Sequence, residues 1–183
     1  YEGAAGPFSY DRANMELDHE SVYRLESDTD GKWAIHRATF DTTRPNGLLF
    51  SLDHRTLYVA QSGRRADEKR QLRAYPVQDD GSLGEGEVLH DFGEHRGIDG
   101  MRLDTEGNLI ATAGWELGGP GPSIYVFSPS GEVLERHDVP AQRPTNCCFG
   151  GNSLDTLYVT TTEGHLLRAR TERQARPLPI PLN

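Results

Sequence analysis

The sequence predicts an all-β protein, specifically a stretch of β-propeller covering roughly three and a half blades. Three observations predict it. A motif returns three times: Arg44-Pro45-Asn46-Gly47-Leu48 with Leu57-Tyr58-Val59-Ala60, then Gly97-Ile98-Asp99-Gly100-Met101 with Leu109-Ile110-Ala111, then Arg143-Pro144-Thr145-Asn146-Cys147-Cys148-Phe149 with Leu157-Tyr158-Val159. Counted from Asn46, Asp99 and Asn146 the copies are 53 (46 to 99) and 47 (99 to 146) residues apart, the length of a unit made of several short strands. Helical periodicity is missing throughout, while Gly- and Asp-rich turns separate short alternating runs.

Taken in order, residues 1 to 20 show no period and read as a loop. Ser21–Leu25, the turn Asp28-Thr29-Asp30-Gly31 and Lys32–Ala38 form a hairpin, so residues 1–40 supply the outer strands of one blade. Residues 41–92 hold the next blade, with strands near 47–51, 56–61, 71–77 and 87–92. Between them lies the mixed-charge run Arg64-Arg65-Ala66-Asp67-Glu68-Lys69-Arg70, expected to be a solvated loop. Residues 93–140 form a third blade, in which Gly114–Pro122, rich in Gly and Pro, reads as a long loop before the hairpin at Ser123–Phe127 and Glu132–Arg136. Residues 141–183 form a last blade and a tail in which Pro177, Pro179 and Pro181 forbid a central strand.

With 183 residues the chain is one domain's length, yet it opens on Tyr1, and three and a half blades are few for a closed ring. The expectation is a piece of a larger propeller. A net charge of −9 opposes nucleic-acid binding, which needs a clustered basic surface. Apolar runs of a few residues fall far short of the ~20 that a membrane-spanning helix needs. Cys147 and Cys148 are adjacent and make no CxxC, so no structural zinc site is expected, only two small, mostly buried thiols. The compartment stays open.

Inner strands of a propeller line one channel, which makes Asn46, Asp99 and Asn146 candidates to converge. One carboxylate and two amides are hard oxygen donors, the set calcium accepts and zinc does not favour. The same Asn-Gly and Asp-Gly pairs are also ordinary turn signals, and both readings stand at this level. His95, just before Asp99, and Trp115 are candidates to line or cover the channel mouth. The seven histidines form no ligand-spaced pair, and no nucleophile elbow, zinc helix, phosphate loop or dinucleotide fingerprint is present.

The runs Arg44–Leu48 with Leu57–Ala60, Gly97–Leu109, and Pro144–Gly151 with Thr156–Thr160 resemble the gluconolactonase and regucalcin-like family, in family order, and Leu17–Arg24 resembles the segment that leads into one of its hairpins. The resemblance implies a six-bladed propeller with a divalent metal, usually calcium, in its channel, hydrolysing sugar lactones and related esters. It implies that Asn46 and Asp99 are metal ligands and that Asp99 also acts as general base or positions the attacking water. For Asn146 it implies a role near the channel that is structural as readily as direct. A metal-ligating Glu near the family's N-terminus, and the substrate-binding residues of its early blades, have no counterpart here, so a second chain or an N-terminal segment is expected to complete the ring. Two other readings remain open. One keeps the site and changes the substrate to an organophosphate or aryl ester; the other is a non-catalytic propeller fragment that binds calcium or a protein partner.

Overall fold

A computed structural model describes residues 16–177. The loop expected over residues 1 to 15 and the proline-bearing tail from residue 178 onward lie outside them. The described residues form thirteen strands in four antiparallel sheets, each sheet a meander in which sequence neighbours pair. The first is the hairpin β1 (Tyr23–Ser27) and β2 (Trp33–Arg37). The second holds β3 (Pro45–Phe50), β4 (Thr56–Gln61), β5 (Gln71–Pro76) and β6 (Glu87–Asp91). The third holds β7 (Ile98–Leu103), β8 (Leu109–Trp115), β9 (Gly118–Phe127) and β10 (Val133–Asp138). The fourth holds β11 (Pro144–Gly150), β12 (Thr156–Thr161) and β13 (Leu166–Arg170). Among the described residues no helix is long and apolar enough to cross a membrane.

Period-two alternation explains how these sheets stack. Successive side chains of a strand point to opposite faces, so a strand that is apolar at every position is covered on both sides. In β4, Leu57 and Val59 face the first sheet with Val22 and Tyr75, while Tyr58 and Ala60 face the third. In β8 and β9, Leu109, Ala111, Tyr125 and Phe127 join the second sheet's Leu72 and Phe92, whereas Ile110, Ile124 and Val126 meet Cys147, Leu157 and Val159 of the fourth. Aromatic contacts tighten the middle interface, with Phe92 edge-on to Tyr125 at 5.6 Å between ring centroids. The end sheets are covered on one side only. Leu25, Trp33 and Ile35 of the first are 58%, 68% and 67% exposed, and these are the apolar residues a further blade would bury.

The first strand of each larger sheet lies innermost, with β7 packed between β3 and β11. Turns follow the sequence signals: Gly31 takes φ +76° and donates its N–H to the Asp28 carbonyl, closing the β1–β2 hairpin. The stretch 114–122 departs from expectation. It is not a loop: β8 runs to Trp115 and β9 starts at Gly118, with Trp115 opposite Gly118 and only Glu116 and Leu117 between them. Glycine and proline at 118–122 occur where the ladder nears its end and the missing donors cost little. The cysteines differ from expectation as well, with Cys147 buried and Cys148 exposed on neighbouring positions of β11.

Candidate functional site

Each innermost hairpin carries one extra residue at the same level. Pro45 pairs with Gln61 and Leu48 with Val59; Ile98 pairs with Ala113 and Met101 with Ala111; Pro144 pairs with Thr161 and Cys147 with Val159. In every case three steps on the inner strand match two on its partner, which defines a β-bulge, a device that re-aims side chains next to functional sites. The bulges contain Asn46-Gly47, Asp99-Gly100 and Thr145-Asn146. Asn46 and Asp99 are therefore equivalent, and their equivalent in the third copy is Thr145. Asn146 aligns with Gly47 and Gly100.

Of the three polar residues expected to converge, two are in contact and the third packs against the glycine that follows Asp99. Asn46 and Asp99 meet: the Asn46 amide donates to Asp99 Oδ1 and lies 3.4 Å from Ser62 Oγ. Ser62 in turn donates its hydroxyl to the Ile98 carbonyl. Asn146 is placed instead against Gly100, where an added Cβ would lie 2.8 Å from the Asn146 Cα. Gly47 is equally confined, its missing Cβ 2.5 Å from the Asp99 carbonyl oxygen. Thr145 stays within its own sheet, its hydroxyl 2.9 Å from Thr160 Oγ1.

The other Asp99 oxygen, Oδ2, accepts from Arg96. Arg96 also donates to the carbonyls of Gly114, at 3.0 Å, and Pro144, at 3.4 Å, so it ties the entrances of β7 and β11 together. Burial holds the Arg96 guanidinium below its ordinary pKa; Asp99 opposes that shift, and the charges of Arg143 and Arg64 add to it. Arg64 is lowered for the same reasons, burial first and then Arg143. These three arginines, 32 and 47 residues apart along the chain (64 to 96, 96 to 143), thus feel one another's charge beside Asp99.

They border a cavity of about 450 Å³ whose wall also includes Arg65, Arg70, Glu94 and Trp115. The mixed-charge run at 64–70 is, as expected, a loop with 64–67 exposed, but Glu68 within it is buried. Buried Glu68 accepts the backbone N–H groups of Arg64 and Arg65, at 2.6 and 3.1 Å, and this fold of the loop brings Arg64, Arg65 and Arg70 to the cavity. Trp115 lines this cavity and lies under the Arg143 guanidinium, 5.1 Å from its ring centroid. His95 is absent from the cavity wall; its ring packs over Gly119 of β9.

Among the described residues no three of His, Cys, Asp and Glu gather as a metal cluster. The pair Asn46 and Asp99 offers one carboxylate oxygen and one amide group in contact. Rotating the amide by 180° presents its oxygen rather than its nitrogen, giving two hard donors that fit part of the six to eight oxygens calcium takes. The arginines are what residue-by-residue reading missed. Of the five, Arg96 and Arg143 stand at strand entrances, while Arg64, Arg65 and Arg70 lie in the mixed-charge run, and nothing in the sequence marks them as neighbours.

Residues 4–163 match the family model described as the SMP-30/gluconolactonase/LRE-like region. Gluconolactonase from Zymomonas mobilis is 33% identical over 165 residues, which are 86% of this chain and 42% of that protein. Regucalcin from Danio rerio is 36% identical over 159 residues, covering 86% of this chain and 49% of its own. The structure of a calcium-binding regucalcin from Agrobacterium tumefaciens superposes with a TM-score of 0.66 at 23% identity, covering 87% of this chain and 55% of that one. This chain thus spans about half the length of the relatives it matches.

Proposed function

The chain belongs to the SMP-30/gluconolactonase/regucalcin family, and from that premise we propose that it carries the channel site of a metal-dependent sugar-lactone hydrolase. The observation that supports this most is the meeting of Asn46 and Asp99, 53 residues apart (46 to 99), through equivalent bulges. Asn46 and Asp99 would hold a divalent cation, calcium by the hardness of the donors. When bound, such an ion supplies a Lewis acid to the lactone carbonyl and to the oxyanion that forms there.

The residues of this chain account for the rest of the reaction. Arg96 fixes the Asp99 carboxylate through Oδ2, leaving Oδ1 on the Asn46 side. Asp99 orients a water and takes its proton as the water oxygen bonds to the carbonyl carbon. The ring C–O bond then breaks and the departing ring oxygen collects the proton held by Asp99, so lactone and water become a hydroxy acid and the carboxylate is restored. No covalent enzyme intermediate is needed, in keeping with the lack of a nucleophile motif. Two ligands do not fill a calcium shell, and the proposal includes a second chain or preceding segment that contributes the others.

The test is hydrolysis of glucono-δ-lactone by the purified chain, followed as proton release above the spontaneous rate, with calcium and then with a chelator. Turnover that the chelator removes is expected, and Asp99→Asn should lower kcat roughly 100-fold or more with an unchanged circular dichroism spectrum. Hydrolysis untouched by Asp99→Asn, or no hydrolysis together with no calcium binding, would overturn the proposal.

A further inference from the structure

We propose that the cavity beside Asp99 is a subsite for an acidic group on the substrate, so that the favoured substrates are sugar lactones bearing a phosphate, sulfonate or carboxylate. This rests on the lactonase reading for the word lactone, but the anion subsite stands on its own observations. Among the described residues of a chain of net charge −9, five arginines and one acid, Glu94, line one cavity. Its volume, about 450 Å³, lies within the range of small-molecule pockets, ~300–1,000 Å³.

Arg96 pairs closely with Asp99, but two other arginines of the cavity hold their carboxylates more loosely than the paired arginines elsewhere among the described residues do. Arg73, Arg136 and Arg173 reach carboxylates at 2.6, 2.6 and 2.7 Å. At the cavity, Arg143 stands 3.7 Å from Glu116 and Arg65 stands 3.8 Å from Asp67, while Arg70 donates to the carbonyls of Arg65 and Gly93. The Arg143 Nε is buried with no hydrogen-bond partner among the described residues. Its backbone, at φ +34°, is in a region that a non-glycine residue rarely adopts, and its guanidinium lies over Trp115. Strain of this kind persists at ligand-binding positions because the surroundings enforce it.

Positive groups crowded in a partly desolvated pocket repel one another, and an anion entering it relieves that repulsion while accepting fork-shaped hydrogen bonds. Asp99 already pairs with Arg96. The acidic group would then sit toward Arg70 and Arg143, with the lactone carbonyl on the side of Arg96 where Asp99 and Asn46 lie.

Binding of closed-ring sugars to the full chain tests this without turnover. Glucose 6-phosphate, glucose 6-sulfate, glucuronate and glucose are titrated by calorimetry at low salt and at 0.5 M NaCl, the three acids separating phosphate, sulfonate-like and carboxylate preference. At least one acid is expected to bind about tenfold or more tightly than glucose, with the advantage shrinking in high salt. Arg143→Gln and, as an independent variant at the rim, Arg70→Gln should each reduce that advantage severalfold. Equal binding of all four sugars, or an acid preference that neither variant touches, would overturn the subsite. A preference for acids in a chain that hydrolyses no lactone would sustain the subsite and overturn only the lactonase reading.

Discussion

At the residue scale, the positions that matter most to the site are two without side chains. Gly47 and Gly100 sit where neighbouring inner strands come closest, and at Gly100 a methyl group would strike the Asn146 side chain and its Cα. We expect Gly100→Ala to destabilise the protein by about 1–3 kcal/mol, the usual cost of forcing an atom into a filled space. Chemical denaturation measures this, and adding Asn146→Gly should recover part of the loss, because only the backbone share of the clash remains. A second residue-scale prediction concerns Cys147. Burial pushes its thiol up from 9.0 to about 12. A raised folded pKa means that this contribution to stability is complete below pH 9.0 and is lost as pH climbs from there toward 12. The urea midpoint should fall between pH 8 and 10.5, with a shallower slope in Cys147→Ala. Tyr75, raised chiefly by burial and then by its hydrogen bond to Asp41, keeps part of the slope in that variant. Exposed Cys148 should react with a thiol reagent in the native protein, and Cys147 only on unfolding.

At the scale of elements, the middle strands carry the stack. Leu72 of β5 is fully buried in the cluster that joins the second and third sheets. Leu72→Ala should cost about 2–5 kcal/mol, read as a lowered denaturation midpoint, because both sheets are fixed by other contacts and cannot close the space. The strands and turns were legible in the sequence because apolar alternation and glycine at positive φ are local properties, as at Asp28-Thr29-Asp30-Gly31. Asn146 was set beside Asn46 and Asp99 by residue type, although aligning Arg44-Pro45 with Arg143-Pro144 puts Thr145 in that place, as the pairing of Cys147 with Val159 shows. Gly114–Pro122 was misjudged as well: its composition suits a loop, but tertiary context extends β8 and β9 through it. The meeting of Asn46 with Asp99 was legible through repetition. The arginine cavity was not, since Arg64, Arg96 and Arg143 become neighbours only through the stacking of three sheets.

At the scale of the molecule, the fourth sheet is tied to the third by more than apolar contact. Arg173, past the end of β13, donates to Asp104 at 2.7 Å and to Glu135. Asp104 is 2% exposed and also accepts from the backbone of Glu106 and Asn108 and from the Asn108 amide. Arg173→Ala leaves that carboxylate buried without its counter-charge. A loss of about 1.5–3 kcal/mol is expected, with hydrogen exchange rising first in β11 to β13. Salt added to the native protein should reproduce only a small part of this, because the Asp104 side of the pair is sealed from solvent. The glycines of the inner strands have a wider effect. Where Gly47 and Gly100 let main chain touch neighbouring chain, the spacing of β3, β7 and β11 at that level is set by peptide dimensions and not by side-chain size. Substitutions elsewhere can therefore change the charge presented beside Asp99 while leaving the separation of these inner strands unchanged.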